Sequence, residues 1–434
     1  MKRTENILKT FSSIVHVNGS KSEIFFSVLN FAIPLFMGIY IFLNPLPLSA
    51  VSEFCFYLSL AALIMLISFK KTAFTLLSPL TLPFLLFFLW AVFGLFFTLD
   101  FKNTLHDLRG YLLKYLIIFY LLVNYFNSQK KLEIISWIVI ASATIFSIGA
   151  VIQYYFIEGF PLCVRLGETF KEMHTDYIGF VTIFAITLSL NNLRKSKTLT
   201  CKILCLLCFF IMCTATLLTQ SRGSLIGLFA SLVILCFINR KIIIVIIALL
   251  ILVFFVPGLK DRFDHEKIML NERVKINRLT MELIKAHPIA GIGFGMQIYG
   301  NPNLVDLEKY NKKLLPQYQQ EIIITSPHNT ILDITVRTGI IGLLLFFNIL
   351  LTSLFMLWKI LRLTKSEYFK SWVICLFACF MSFLIPALFA DTTFGPRVVV
   401  FYTMLAMIAI LWNLAQEEKK NEDAALTGLV NIID

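Results

Sequence analysis

The stretch SPHNT at residues 326–330 puts a histidine where an apolar helical run is about to begin. Ser326 is a good N-cap and Pro327 suits the first helical position. The pattern therefore predicts His328 and Asn329 in the first turn of a helix. The helix dipole is positive there, which favours a bound anion and disfavours a protonated imidazole. A neutral His328 has the chemistry of a general base, and the alternative is a histidine at a wet helix end.

Arg222 is a second candidate, in the stretch TQSRGSLIG between two apolar runs. No loop is available there to solvate its charge. A cation at such a depth in an apolar chain is costly and usually marks a functional site. We therefore expect Arg222 to take part in function.

Two pairs of charged residues add to this set. Asp391 and Arg397 lie in FADTTFGPR, a tight charged hairpin between two apolar runs. Arg109 and Lys114, in LRGYLLKYL, fall on one side of a helix start. Alternative explanations are that the three cations snorkel to lipid phosphates and that Asp391 caps the following helix.

Arg278 belongs to an amphipathic helix that the sequence predicts over residues 272–287. Leu279 and Leu283 fall on its apolar side at helical spacing, and Arg278 falls on the other side. Arg278 is a candidate for anion binding. The alternative is an ion pair with Glu282 at i+4.

The chain downstream of this helix is predicted to fold back over the membrane surface. Pro288 and the glycines of GIGFG end the helix and make a tight turn. A second helix is predicted over residues 304–320. Together the two helices are expected to form a cap on the outer membrane face.

Apolar runs make up most of the chain and have to position these charged residues. Of the 434 residues, 58% are hydrophobic and only 15% are charged, and the formal net charge is +12. This composition excludes a cytosolic enzyme, a disordered chain and a nucleic-acid-binding domain. A membrane-spanning helix needs about 20 mainly apolar residues, and twelve runs are candidates. These runs are 24–43, 53–69, 78–98, 111–126, 134–156, 178–193, 203–219, 224–238, 242–256, 338–358, 371–389 and 398–414.

The distribution of cations predicts how these helices are oriented. With a cytoplasmic N-terminus, 20 of the 38 Lys and Arg residues fall in inside segments. Of the other 18, 11 lie between Lys260 and Arg337, in or just past one long loop that the positive-inside rule largely ignores. Both termini are therefore expected in the cytoplasm, with the long loop outside.

The sequence thus predicts an all-α integral membrane protein with about twelve transmembrane helices and one large outer loop that carries short helices. Helices one to nine occupy residues 1–256, and the outer loop occupies 257–330. Helices ten to twelve occupy 331–414. The charged tail, 415–434, is expected to be a solvated and partly disordered end.

The motif around the histidine resembles a known family. HNTILDITVRTGIIG fits the pattern His, then Asn, Ser or Arg, nine residues, Gly, two residues, Gly or Thr, through His328, Asn329, Gly339 and Gly342. This pattern resembles the bacterial O-antigen ligases, within the O-antigen ligase and polymerase superfamily. The resemblance extends to TQSRGSLIG, to the run from Arg278 through HPIAGIGFG, and to the layout of twelve helices with one large outer loop.

The resemblance implies an integral-membrane glycosyltransferase of the GT-C type. Such an enzyme transfers O-antigen glycan from undecaprenyl diphosphate to a sugar hydroxyl of lipid A-core during lipopolysaccharide biosynthesis. The reaction takes place on the periplasmic side of the bacterial inner membrane.

This resemblance also implies roles for the candidate residues. Arg222 and Arg278 would stabilise the departing diphosphate, and His328 would take the proton of the acceptor hydroxyl, which predicts inversion. Because arginines take the charge of the leaving group, no metal or cofactor is expected. The remaining candidates are expected to bind substrate: Asn329, Arg109, Lys114, Asp391 and Arg397.

Two rival functions stay open at this point. An O-antigen polymerase uses the same donor but joins glycan to another lipid-linked glycan, and the nine-residue spacing from Asn329 to Gly339 favours a ligase. A transporter or flippase would carry charges near the bilayer midplane on broken helices and would show internal repeats. Here the notable charges collect at the outer ends of the predicted helices. Membrane lipids are expected partners, and nucleic acids are not.

Overall fold

The computed structural model describes residues 21–167, 175–255, 272–392 and 396–433. Within these ranges the chain is helical, with turns and loops and no β-strand. The all-α class predicted from the sequence is therefore confirmed.

Within residues 21–167 and 175–219, the structure describes eight α-helices. They are α1 (Lys21–Leu43), α2 (Ser49–Ser68), α3 (Thr81–Phe93), α4 (Phe101–Asp107), α5 (Lys114–Tyr125), α6 (Gln129–Val151), α7 (Thr175–Lys195) and α8 (Leu199–Leu218). A π-helical segment, Leu108–Leu113, joins α4 to α5, and a second, Ile152–Ile157, extends α6.

Seven α-helices are described between residues 220 and 433, outside the undescribed segments 256–271 and 393–395. They are α9 (Arg222–Leu235), α10 (Ile242–Phe255), α11 (Glu272–Ala286), α12 (Leu307–Asn311), α13 (Thr330–Leu363), α14 (Glu367–Ala387) and α15 (Pro396–Ile433). Residues 257–271 of the predicted outer loop lie outside the described residues.

The apolar helices identify a multi-pass membrane protein. Among the described residues, seven helices are long and apolar enough to cross a membrane, and three shorter helices are also apolar. Each of the twelve predicted runs overlaps a helix. The number of membrane crossings, twelve, stays a prediction.

The C-terminal tail differs from its expected form. Helix α15 continues through Ile433, so the prediction of a partly disordered end over 415–434 is wrong. The sequence AQEEKKNEDAAL is rich in Ala, Glu and Lys, which are strong helix formers, and it continues an apolar helix that is already nucleated.

Helix α9 packs closely against α7 and α14 through small residues. A Cβ atom on Gly227 would lie 2.8 Å from the Pro386 ring of α14. A Cβ atom on Gly179 of α7 would overlap the Ser224 side chain. Small residues let helix backbones approach closely in a membrane, so α9 has a fixed position between α7 and α14.

Helix α13 is broken at Gly339, whose φ of 70° lies in the left-handed region. The break divides α13 into an outer piece, 330–338, and a longer piece, 340–363. A Cβ atom on Gly339 would overlap the backbone carbonyl of Ile289. Only glycine therefore fits this position, which explains one glycine of the family motif in physical terms.

The GIGFG segment fills the break. Three carbonyl groups released by it accept hydrogen bonds from outside the helix. The pairs are the Ile292 N–H with Val336 (2.9 Å), the Gly293 N–H with Arg337 (3.1 Å) and the Trp90 indole N–H with Thr338 (2.8 Å). Each of these N–H groups takes the place of a backbone donor within the helix. The GIGFG segment and Trp90 together therefore fix the outer piece of α13.

The amphipathic helix predicted over 272–287 is present as α11, and its position on the outer membrane face stays a prediction. Leu279 and Leu283 are buried against Val336 of α13 and belong to one apolar cluster with Ile298 and Tyr299. The cap therefore lies directly on the outer piece of α13.

The second predicted cap helix, 304–320, is wrong in extent. Only α12 and a 3-10 turn, Pro316–Tyr318, are helical there. Pro316 disfavours helix at the residue before it. The Asn311 side chain also bonds the Gln320 backbone in both directions, at 2.9 and 3.0 Å, which closes a loop in place of a helix.

Candidate active site

His328 lies in the turn just before α13. Asn329 is the N-cap, because its Oδ1 accepts the N–H groups of Ile331 (3.0 Å) and Leu332 (3.2 Å). The helix begins at Thr330, so the prediction that His328 and Asn329 lie in its first turn is wrong. His328 has a φ of 47°, which no helical residue adopts.

The His328 imidazole lies next to the carboxyl group of Asp391. Its Oδ2 lies 3.7 Å from Nδ1 of His328, an electrostatic contact that is longer than a hydrogen bond. The His328 side chain is 43% exposed, whereas that of Asp391 is only 5% exposed. The imidazole therefore presents one side to an incoming molecule and has a carboxyl group behind it.

Asp391 is held in place by the chain that precedes α13. The Ser326 hydroxyl donates to Oδ2, and the Asn329 N–H donates to Oδ1 at 3.2 Å. Burial raises the pKa of Asp391, while Ser326, Arg397 and other neighbours oppose that rise. Asp391 therefore holds the turn that carries His328 in place and does not cap α15.

The loop 388–392 is joined to the start of α13 by further hydrogen bonds. The Asn329 Nδ2 donates to the Leu388 carbonyl at 3.0 Å, and the Thr330 hydroxyl donates to the Ala390 carbonyl at 2.7 Å. Because both ends of the Asn329 amide are engaged, this side chain positions the turn that carries His328.

Arg222 is the first residue of α9 and is half-buried. The next residue, Gly223, packs against Phe389, whose ring would lie 3.2 Å from a Cβ atom placed on that glycine. Phe389 is two residues from Asp391. The start of α9 therefore adjoins the loop that carries the buried carboxyl group.

Strained backbone occurs at both turns of this region. Within the described part of the chain, three non-glycine residues have a positive φ: Lys70, Gln220 and His328. Gln220 is buried and comes two residues before Arg222. Left-handed conformations cost of order 1 kcal/mol or more and persist where the surroundings enforce them, often at functional sites.

Arg397 comes from the start of α15. Its guanidinium carbon lies 6.0 Å from the centre of the Phe180 ring on α7. Its charge opposes the rise in the Asp391 pKa that burial causes. The start of α9 at Arg222, the His328 turn, the loop with Asp391 and the start of α15 at Arg397 therefore lie at one end of the bundle, and these four residues are called the His328 cluster.

Arg278 occupies a different position, on the exposed side of α11. Its guanidinium carbon stacks on the Tyr318 ring at 3.9 Å from the ring centre. The alternative pairing with Glu282 is wrong, since Glu282 binds Lys285 at 2.6 Å. Among the described contacts, none joins Arg278 to His328 or Asp391.

Arg109 and Lys114 line a separate groove between α2 and the α4–α5 segment. Lys114 forms an ion pair with Glu53 and lies 5.5 to 5.7 Å from three aromatic ring centres. Arg109 is exposed in the same groove, near Lys102. The structure thus separates these two candidates from the His328 cluster.

A buried ion pair in the outer piece of α13 was not predicted. Arg337 Nη1 lies 3.2 Å from Asp333 Oδ2, and its Nε donates to the Phe294 carbonyl at 2.8 Å. The i, i+4 spacing within DITVR was the available sequence signal. Arg337 also lines a narrow apolar crevice with Tyr111 and Thr392, next to Asp391.

Arg165 is a further cation that the sequence reasoning missed. Its Nε donates to the Thr219 carbonyl at 3.0 Å, and the neighbouring Leu166 N–H donates to the Leu218 carbonyl at 2.9 Å. These bonds attach Arg165 to the turn before Arg222. No local sequence pattern marks it, because the contact joins two distant segments.

No group of three or more His, Cys, Asp and Glu side chains with the spacing of a metal site occurs in the described ranges.

Comparison with known proteins adds one finding. Residues 207–347 match the protein family described as O-antigen ligase. That region contains Arg222, Arg278 and His328, while Asp391 lies beyond it. No curated protein matches the chain. This match covers 141 of the 434 residues, so that part of the chain is similar to the O-antigen ligase family.

Proposed function

We propose that this protein is an O-antigen ligase, which transfers glycan from undecaprenyl diphosphate to a sugar hydroxyl of lipid A-core. The observation that carries the proposal is the half-exposed His328 with the buried Asp391 behind it, in a cluster that includes Arg222 and Arg397. This combination offers one proton acceptor and two guanidinium groups at one end of a membrane bundle.

In the proposed reaction, His328 accepts the proton of the acceptor hydroxyl as that oxygen attacks the anomeric carbon. The bond from this carbon to the diphosphate oxygen breaks, so the sugar is transferred with inversion. Asp391, at 3.7 Å from the imidazole, stabilises the imidazolium that forms. Its own hydrogen bonds from Ser326 and Asn329 keep it in place.

The departing undecaprenyl diphosphate carries the negative charge that develops in this step. Guanidinium groups bind diphosphate oxygens through paired hydrogen bonds, and Arg222 and Arg397 are proposed to do so. Arg278 is proposed to reach the same diphosphate from the cap once both substrates are bound. With arginines in this role the proposed transfer needs no metal ion.

The proposed setting is the bacterial inner membrane, with twelve helices in a GT-C arrangement. The site faces the periplasm and both termini lie in the cytoplasm. The distribution of Lys and Arg supports this orientation, because short segments on the predicted inner side are consistently basic.

An O-antigen polymerase is the second candidate. The nine-residue spacing from Asn329 to Gly339 favours a ligase. Cells that lack the protein separate the two functions. A ligase predicts polymerised glycan on the lipid carrier together with bare lipid A-core, whereas lipid A-core capped by single repeats would indicate a polymerase.

Purified protein with both lipid substrates tests the proposal. His328→Ala and Arg222→Ala should each abolish joining of glycan to lipid A-core, while His287→Ala, a histidine at the end of the cap helix, should not. Persistent joining in the first two variants would refute their roles. Loss of joining on addition of EDTA would contradict the metal-independent reaction.

Lysine substitutions test the paired hydrogen bonds. Arg222→Lys keeps the charge but removes the planar fork, so we expect activity to fall by about tenfold or more. Arg278→Lys should cost less, because Arg278 is exposed and stacks on Tyr318. Rates of single-turnover transfer measure both changes, and a nearly normal rate in Arg222→Lys would exclude a bidentate contact.

A further inference from the structure

A second groove with cationic walls lies at the end of the bundle opposite His328. Helix α7 starts beside Arg397 and Phe180 and ends at Lys195, and this groove is formed where α7 ends. Its polar wall contains Arg194 of α7, Lys202 of α8 and Lys241 just before α10. Its apolar wall includes Leu235 and Ile242.

The charges of this groove are not balanced by the protein. No carboxylate lines it, and the three cations make no ion pair within the described part of the chain. By contrast, Lys370 at the same end pairs with Glu367 at 3.0 Å. The groove therefore offers three positive charges to an anion.

A buried amide points to the same ligand. Asn191 lines the groove and is only 2% exposed. Its Oδ1 accepts the Ser371 hydroxyl at 2.8 Å, while its Nδ2 has no hydrogen-bond partner among the described residues. A buried donor without an acceptor is costly, and a ligand oxygen would satisfy it.

We propose that this groove binds an anionic phospholipid of the leaflet at that end. Arg194, Lys202 and Lys241 contact the phosphate, and the Asn191 amide donates to one of its oxygens. The acyl chains lie along the apolar wall, which a soluble phosphate ion would leave bare. Basic pockets between helices on the cytoplasmic side are suited to such head groups. This inference does not depend on the proposed enzymatic function.

Native mass spectrometry of the full-length protein in detergent micelles tests the inference by titration with dioleoyl phosphatidylglycerol. The variant Arg194→Gln/Lys202→Gln/Lys241→Gln should bind this lipid at least about tenfold more weakly. The matched control is Lys359→Gln/Arg362→Gln/Lys365→Gln, which removes three cations from the same end but outside the groove. It should bind within about twofold of the unchanged protein. Equal losses in both triple variants would overturn the proposal.

A single isosteric variant tests the amide. Asn191→Asp keeps the acceptor for Ser371 but replaces the donor with a carboxyl group, so phosphatidylglycerol binding should weaken. Unchanged binding in this variant would contradict the role of Nδ2.

Two further ligands identify the source of the phosphate. Dioleoyl phosphatidylcholine should bind more weakly than phosphatidylglycerol, and millimolar inorganic phosphate should not displace the lipid. Equal binding of both lipids would exclude charge recognition. Displacement by inorganic phosphate would exclude a site that depends on the acyl chains.

Discussion

Two acid–base pairs lie at the two ends of one short helical segment, and they differ in exposure. Asp333 and Arg337 are both buried, at 5% and 3% exposed, with 3.2 Å between their charged atoms. Asp391 is equally buried, but its partner His328 is 43% exposed and 3.7 Å away. Both members of the first pair are buried, whereas the second pair leaves its basic member open.

This difference separates a structural role from a chemical one. The Arg337 guanidinium donates hydrogen bonds to Asp333 and to the Phe294 carbonyl, so it joins the outer piece of α13 to the GIGFG segment. His328 keeps one side of its ring open beside a carboxyl group that the protein fixes. We therefore expect the two pairs to respond in opposite ways to substitution.

The largest effect is expected at His328. His328→Gln should slow glycan transfer by about 10²- to 10⁴-fold, since a general base contributes that much. The unfolding temperature of the detergent-purified protein should stay unchanged, because the side chain is half-exposed. A large fall in the unfolding temperature would indicate that His328 has a structural role, like Asp333 and Arg337.

Arg337→Met should mainly lower the stability of the protein, the opposite of what we expect for His328→Gln. Removing one partner of a buried ion pair costs about 3–5 kcal/mol, because the buried Asp333 then loses its guanidinium partner. The free energy of unfolding should fall by that order, as measured by thermal or denaturant unfolding. The double variant Asp333→Leu/Arg337→Met should recover part of the loss. If it recovers nothing, the pair is not the cause.

Asp391→Asn should give a smaller loss of activity. The amide keeps the shape but cannot stabilise the imidazolium, so transfer should fall by about 10- to 100-fold. A nearly normal rate in Asp391→Asn would contradict an electrostatic link between the two residues.

The smallest effect is a gain in stability from His328→Gly. Glycine adopts a φ of 47° without the conformational strain of a histidine. The free energy of unfolding should therefore rise by up to about 1 kcal/mol. Gly94→Ala is a suitable control, because a Cβ atom there meets open space. If His328→Gly destabilises the protein, the turn is held by the imidazole and not by its neighbours.

Local patterns in the sequence were sufficient to predict the long apolar helices and α11. The twelve apolar runs each overlap a helix, and the amphipathic pattern of 272–287 predicted α11 with Leu279 and Leu283 on its buried side. Such features depend on periodicity within one segment, which the sequence displays directly.

Contacts between distant segments could not be predicted in this way. The break at Gly339 is stable because residues 288–293 supply hydrogen bonds from another part of the chain. His328 was placed within the helix because Ser326 is a good N-cap by type, yet in the structure Ser326 binds Asp391 and Asn329 caps the helix. The loop that carries Asp391, 65 residues from Ser326, binds the Ser326 hydroxyl, and Asn329 caps the helix instead.

A double-mutant cycle measures the central claim most directly, namely that His328 and Asp391 act as one unit in glycan transfer. Single-turnover rates would be compared for His328→Ala, Asp391→Asn and the double variant. We predict that the double variant is about as slow as His328→Ala alone, because Asp391 acts through the imidazole. Losses that multiply in the double variant, or a nearly normal rate in His328→Ala, would contradict the claim.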